Sequence, residues 1–455
     1  MKKKTRAQLD RAERLGARRH LRGLKRDGYG IGESALDRQV RRSLIDSPIT
    51  HCMLAGLRQK VQVDRHGFAL VPFPKIFSLI DNPIGSVETL AKLVTAARHP
   101  TIKCLFVDHA PCERLGLGAS LLTDILVVAA RKEWRRMRRE VAIGGAHAQK
   151  PEVKEMLRAA GLIKTLRVQG ETLEREAQTR LLLFPLREGK RAEVVLAHRS
   201  TDQELLAEDL AKYFDRCLVR HGWELSRHGK ALLTRMVGEV VDNAEEHSGT
   251  RRWWAIGYYR QSELEPEGLP RGECSISIFS FGRSIAETLR GDSVSSELRD
   301  EIERLVVRHR RRRLFSRRWS EEALWTLYSL QEGVTRLYGK PRGRDRGQGL
   351  ARLIEFFLEL GQSTRAGEKA SMALVSGHTH LRFDGKYGPS TVLTSEGGKR
   401  QVIALNADND LDQPPDPDYC TNLPLKFPGT LLSMRFYIDP DHLAQLDDDD
   451  ASPND

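Results

Sequence analysis

The chain has 455 residues, a formal net charge of +12 and 30% charged residues. That length suits two domains of ordinary size, each able to bury its own core. No apolar run approaches bilayer length and the basic start leads into no signal-peptide core, so the expectation is a cytoplasmic chain with no membrane partner. Six cysteines stand singly, without the paired spacing of a zinc or redox motif, and read as buried thiols in a reducing compartment.

Residues 1–45 form a basic, helix-compatible segment containing Lys2, Lys3, Lys4, Arg6, Arg11, Arg14, Arg18, Arg19, Arg22, Lys25 and Arg26. A domain over 46–199 follows. Gly67–Phe73, Ile102–Asp108 and Arg139–Gly144 read as short apolar strands, and Leu121–Trp134 as a helix with an apolar face. In Lys150–Ile163 a proline at the helix start and a glycine just past its end predict another helix. Strand, helix, strand, helix in this order predicts a sheet covered by helices. A strand ending at Asp108, a loop, and a helix opening near Ser120 resemble the outline of the STAS domain of anti-anti-sigma factors over roughly 67–166. The serine is displaced from that family's phosphoacceptor position, and Asp108 next to His109 reads as a loop-capping carboxylate. Pro185–Glu193 is polar and turn-rich and predicts an interdomain linker, with the boundary near Ser200.

Ser200-Thr-Asp-Gln-Glu204 reads as a helix cap opening a second domain over 200–440. Within it, Glu239, Asn243 and His247 stand four apart in Met236–Gly249 and share one helix stripe, while Val240, Val241 and Ala244 supply an apolar side. A carboxylate followed one turn later by an amide oxygen suits a magnesium-bound nucleotide. The amide is a hard neutral ligand, and the carboxylate orients a water or hydroxyl. Cys274–Glu287 is an alternating apolar strand that breaks at Gly282. Gly343–Leu350 is a glycine-rich turn entering the apolar-periodic helix Leu350–Leu360. Unpaired N–H groups at such a helix start, backed by the helix dipole, form an anion cradle. Phe427–Tyr437 reads as a Gly-Thr turn feeding a strand. A second basic block, Arg308–Trp319, lies between the two glycine segments, and 441–455 is an acidic tail expected to be disordered.

These four segments, in order, resemble the nucleotide-binding boxes of the GHKL ATPases (gyrase, the Hsp90 chaperone, histidine kinases, MutL). The resemblance covers about 202–438. It implies an α/β sandwich in which helices cover a mixed sheet, with ATP and Mg2+ as cofactors. It makes Glu239 the general base and Asn243 the metal ligand, and puts His247 where the family has a variable polar residue. Gly282 matches the first glycine box, Gly347, Gly349 and Leu350 the second, and Gly429 with Thr430 the last. Where the family has an aspartate that reads the adenine amino group, this chain has Ser280. A hydroxyl donates or accepts, so a purine still finds a partner. The charge-assisted bond, worth about 1.5–3 kcal/mol, is lost.

The resemblance implies a regulatory, ATP-dependent conformational switch with slow hydrolysis, closed by a lid over 314–346, in a setting such as bacterial stress signalling or phage defence. An anti-sigma-type serine/threonine kinase is the alternative, since a STAS-like domain is the usual target of such kinases. His221 and His228 lie ahead of the Glu239 helix, but neither sits in a histidine-kinase phosphoacceptor pattern. A non-catalytic nucleotide-binding adaptor is a third reading. A protein partner or homodimer fits all three, and the basic segments admit nucleic acid.

Overall fold

A computed structural model describes residues 59–166, 168, 180–190, 202–227, 229–231, 233, 234, 237, 238, 240, 241, 252–262, 271–291, 296–311, 320–331, 349–393 and 399–444. The protein combines helices and sheets and divides into two compact units, Met1–Gln178 and Thr179–Asp455. No helix among the described residues is long and apolar enough to cross a membrane.

The first unit is built on three parallel strands, β1 (Phe68–Pro72), β3 (Cys104–Asp108) and β5 (Ala142–Ala146), in the order β1-β3-β5. Two short strands, β2 (Ile76–Phe77) and β4 (Arg114–Leu115), pair beside them. Parallel neighbours require crossover connections, and helices α1 (Pro83–Arg98) and α2 (Leu117–Arg136) supply them. The central strand reads as a continuous apolar run because both its faces are covered, and Leu105, Phe106 and Val107 are all buried. Helix α1 starts at Asn82, whose side chain accepts a hydrogen bond from Gly85 N, with Pro83 in the first turn. It packs against α2, and the Trp134 indole donates to Ala97 O at 2.8 Å. Helices α3 (Pro151–Ala159) and α4 (Leu162–Leu166) complete the unit.

The second unit holds a five-stranded sheet in the order β6-β7-β8-β12-β9, made of β6 (Leu181–Lys190), β7 (Arg252–Gln261), β8 (Gly272–Phe281), β9 (Ser371–Phe383) and β12 (Cys420–Ile438). Every neighbouring pair is antiparallel, which corrects the expectation of a mixed sheet. A hairpin of β10 (Ser390–Leu393) and β11 (Lys399–Val402) stands apart. The linker expected at Pro185–Glu193 is corrected too. Its first six residues lie in β6, which pairs with β7, so the break between units falls well before Ser200. Pro185 is tolerated there because β6 is an edge strand and the proline sits in a bulge between Phe184 and Arg187.

One face of this sheet carries α5 (Asp202–Val219), α8 (Glu321–Tyr328), α9 (Gly349–Leu360) and described helical residues between 227 and 241. Their apolar residues join those of the strands in one core. Leu233, Val237 and Val241, four apart, are buried in it, as the helix pattern requires. Phe214 of α5, Phe357 of α9 and Phe436 of β12 meet in a three-ring cluster with centroids 5.3–5.6 Å apart. A smaller core joins α6 (Ile285–Leu289), α7 (Ser296–Arg311) and α8 around Trp325.

Two buried ionisable groups tie chain segments together. Asp439, just past β12, has a fully buried carboxylate that accepts from Thr364 N, Thr364 Oγ1 and Ser363 Oγ. It also pairs with Arg271 Nε at 3.2 Å, ahead of β8. Burial alone pushes this carboxyl up, but the Thr364 and Asp441 hydrogen bonds and Arg271 together hold it below the usual aspartate value. In the first unit, His109 is buried with its ring 4.3 Å from that of Phe73. Burial, reinforced by His147, lowers its pKa from 6.5 to about 4.

Asp439→Ala leaves the Thr364 donors without their anion and Arg271 with Asp441 alone. Equilibrium denaturation at pH 7 is expected to show a loss of about 3–5 kcal/mol. Because the folded-state pKa is depressed, the part of this contribution that belongs to the charged carboxylate is present above about pH 4 and fades as the pH falls further, so the gap between wild type and variant narrows in acid. His109 acts over a higher window. Between pH 6.5 and 4 the unfolded chain takes up a proton that the folded chain refuses, so stability falls with pH by about 3 kcal/mol. Melting curves of His109→Phe across that window are expected to lack this component.

Candidate functional site

Strand β8 is buried along almost its whole length and ends at Phe281, and Gly282 breaks it with φ 129°. Strand β12 lies antiparallel beside it, with Ser280 opposite Thr430 and Phe281 opposite Gly429. On the far side of β12, Thr430 faces Ser376 of β9. Side chains alternate along a strand, so Ser280, Thr430 and Ser376 share the helix-bearing face with the rows Ile278, Leu432, Leu374 and Ile276, Met434, Met372. The apolar core thus gives way to a row of three hydroxyls where β8 ends. Ser280 and Ser376 are buried and Thr430 is half-buried.

Gly429 is not the turn expected from the Gly-Thr pair. It lies inside β12 beside a bulge, with register shifts on either side of Phe427. Its φ is 141°, and a β-carbon there would stand 2.1 Å from Ser280 O, so glycine alone fits. Gly282 N donates to Pro428 O at 3.1 Å, fastening the strand end to the bulge. Beyond it, Ser284 and Glu287 form a reciprocal capping box that opens α6. Burial raises the Glu287 carboxyl, but its hydrogen bond from Lys426 and those of the cap outweigh this and hold it below the usual value. The Ser284-x-x-Glu287 spacing is the sequence signal of this cap. Ser376, which bonds Ile285 N beyond the Gly282 turn and Gly429 O in the bulged strand, carries no sequence signal.

The remaining expected site residues divide as follows. Gly349 is the first residue of α9, so a helix does open at the second glycine segment, and Leu350 follows within it. Glu239, Asn243, His247 and Gly347 lie outside the described residues, as do 314–319 and 332–346 of the expected lid. Among the described residues, no group of three or more His, Cys, Asp or Glu side chains is arranged to hold a metal. In the first unit Ser120 is buried within α2, its hydroxyl enclosed rather than presented at a loop. A cavity of ≈ 490 Å³ between α5 and β6, lined by Phe184, Arg187, Asp209, Lys212, Asp215 and Arg216, shares no residue with the hydroxyl row. Four of its charged side chains are paired, Arg187 with Asp209 at 3.6 Å, Asp215 with Lys230 at 2.6 Å and Lys212 with Glu208 at 2.7 Å. No family model, curated protein or solved structure matches the chain.

Gly429→Ala forces its methyl group against the Ser280 carbonyl and is expected to cost about 1–3 kcal/mol. Gly388→Ala, where a β-carbon meets open space, is the control and should stay within about 0.5 kcal/mol in the same melting experiment.

Proposed function

We propose that the second unit binds a magnesium-bound purine nucleotide in the manner of the GHKL ATPases and acts as an ATP-dependent conformational switch. The observation that carries this reading is the hydroxyl row, Ser280 beside Thr430 beside Ser376, flanked by the positive-φ glycines Gly282 and Gly429. Segments 150 residues apart in sequence, singled out by one resemblance, are cross-strand neighbours in space. Ser280 and Thr430 present polar atoms on the face where neighbouring rows are apolar, which suits the polar edge and flat face of a base.

The glycines matter because their positive φ lets the strand ends bend close to one another, Gly429 against the Ser280 carbonyl. A hydroxyl at Ser280 meets either a donor or an acceptor on the base, so discrimination among purines is weaker than with a carboxylate. The start of α9 at Gly349 supplies backbone N–H groups for phosphate oxygens. In this reading Asn243 holds Mg2+ through its amide oxygen, and Glu239 orients and deprotonates the attacking water. When bound, Mg-ATP supplies the transferable phosphoryl group. The burial of Ser120 disfavours the alternative in which that group passes to the same chain's STAS-like serine.

A nucleotide drives such a switch only through unequal affinity for two conformations. Titration of the full chain with Mg-ATP is expected to give saturable binding and a raised melting temperature, since ligand at 100-fold its Kd adds about 2.7 kcal/mol. Glu239→Ala should retain that binding while phosphate release stops, a loss in turnover rather than affinity. Gly349→Val should abolish binding. Absence of both uptake and thermal protection at millimolar Mg-ATP would refute the proposal.

A further inference from the structure

We infer that Ser376 is a positioning residue that sets the spacing between the Gly282 turn and the Gly429–Thr430 bulge, an inference that rests on the nucleotide-site reading and adds a residue to it. Ser376 is fully buried on β9, and its hydroxyl meets three partners. Ile285 N donates to it at 2.9 Å, Gly429 O lies at 3.2 Å, and Thr430 Oγ1 at 2.9 Å. A serine hydroxyl has one proton and two acceptor sites. The Ile285 amide can only donate and the Gly429 carbonyl can only accept. One acceptor site therefore takes Ile285 N–H and the proton goes to Gly429 O. The second acceptor site takes the proton of Thr430.

That arrangement uses the full capacity of Ser376 and has two consequences. Ile285 opens α6 three residues after Gly282, so one oxygen joins the exit of the first glycine turn to the bulge in β12. Thr430, having given its proton to Ser376, keeps both its lone pairs for other groups. It faces the site as an acceptor, suited to an N–H on the ligand. The buried hydroxyl of Thr326, by contrast, donates to Glu322 O within its own helix and lies 3.4 Å from Thr379 Oγ1 on β9, and it bonds neither glycine segment.

The test uses the full chain with Ser376→Ala, Ser376→Thr as the hydroxyl-retaining variant, and Thr326→Ala as the buried-hydroxyl control. Hydrogen exchange is expected to accelerate at least tenfold in Ser376→Ala across both 282–289 and 427–432, while Thr326→Ala leaves both segments unchanged. Ser376→Thr should restore slow exchange. Titration with Mg-ATP should show affinity about tenfold weaker in Ser376→Ala and within twofold of wild type in Thr326→Ala. Acceleration of one segment alone, or equal effects from the two alanine variants, would overturn the inference even where wild type binds ATP. Coupled acceleration in a chain that takes up no ATP would uphold the positioning role and sink the nucleotide reading instead.

Discussion

The antiparallel register of β8 against β12 is the constraint on which the second unit turns. Both strands are buried through most of their length, so slipping by one residue would move every side chain to the other face. Gly429 locks that register from the inside. With the Ser280 carbonyl 2.1 Å from where a β-carbon would be, any other residue opposite Phe281 forces the two strands apart. The same register brings Ser280 alongside Thr430 and ends the apolar rows in hydroxyls. A packing requirement and a candidate binding surface therefore share one cause.

The sheet gains its rigidity from devices that act at different ranges. The rings of Phe214, Phe357 and Phe436 hold two helices to β12, each aromatic pair adding about 0.5–1.5 kcal/mol beyond the area it buries. At the opposite end from the glycine turns, Asp439 gathers the start of β8, the end of β12 and the loop after α9 around one buried charge. Such a charge is costly to bury and is held by the number of donors around it. The α6–α8 cluster has its own small core and meets β9 through specific bonds, Ile285 N to Ser376 and His378 N to Glu322. These bonds add to the apolar contact that Ala323 and Leu327 of α8 make with the main core.

Much of the element plan was legible in the residues. Strands β1, β3, β5 and β8 lie within a few residues of where alternation or apolar runs put them, because each is bounded by glycine, proline or charged residues. Helices α2, α3 and α9 follow their apolar periodicity. Helix α1 went unread although Asn82 and Pro83 mark its start, since its buried residues, Ser86 and Thr89 among them, blur the stripe. Strand β6 resembles a linker because it holds a proline and three charged residues. Only its place at the sheet edge makes them acceptable.

By itself the sequence determined the local matters: enough chain for two units, the strands and helices of clearest periodicity, and the glycines that interrupt them. These follow from side-chain periodicity and backbone freedom, properties that a short window contains. Only the tertiary structure decided that the sheet is antiparallel throughout, that Gly429 is a bulge rather than a turn, and that Ser376 bonds both glycine segments. Strand pairing depends on contacts between residues far apart in the chain, and a hydroxyl's role depends on what stands within 3 Å of it. Neither is written in the residues on either side.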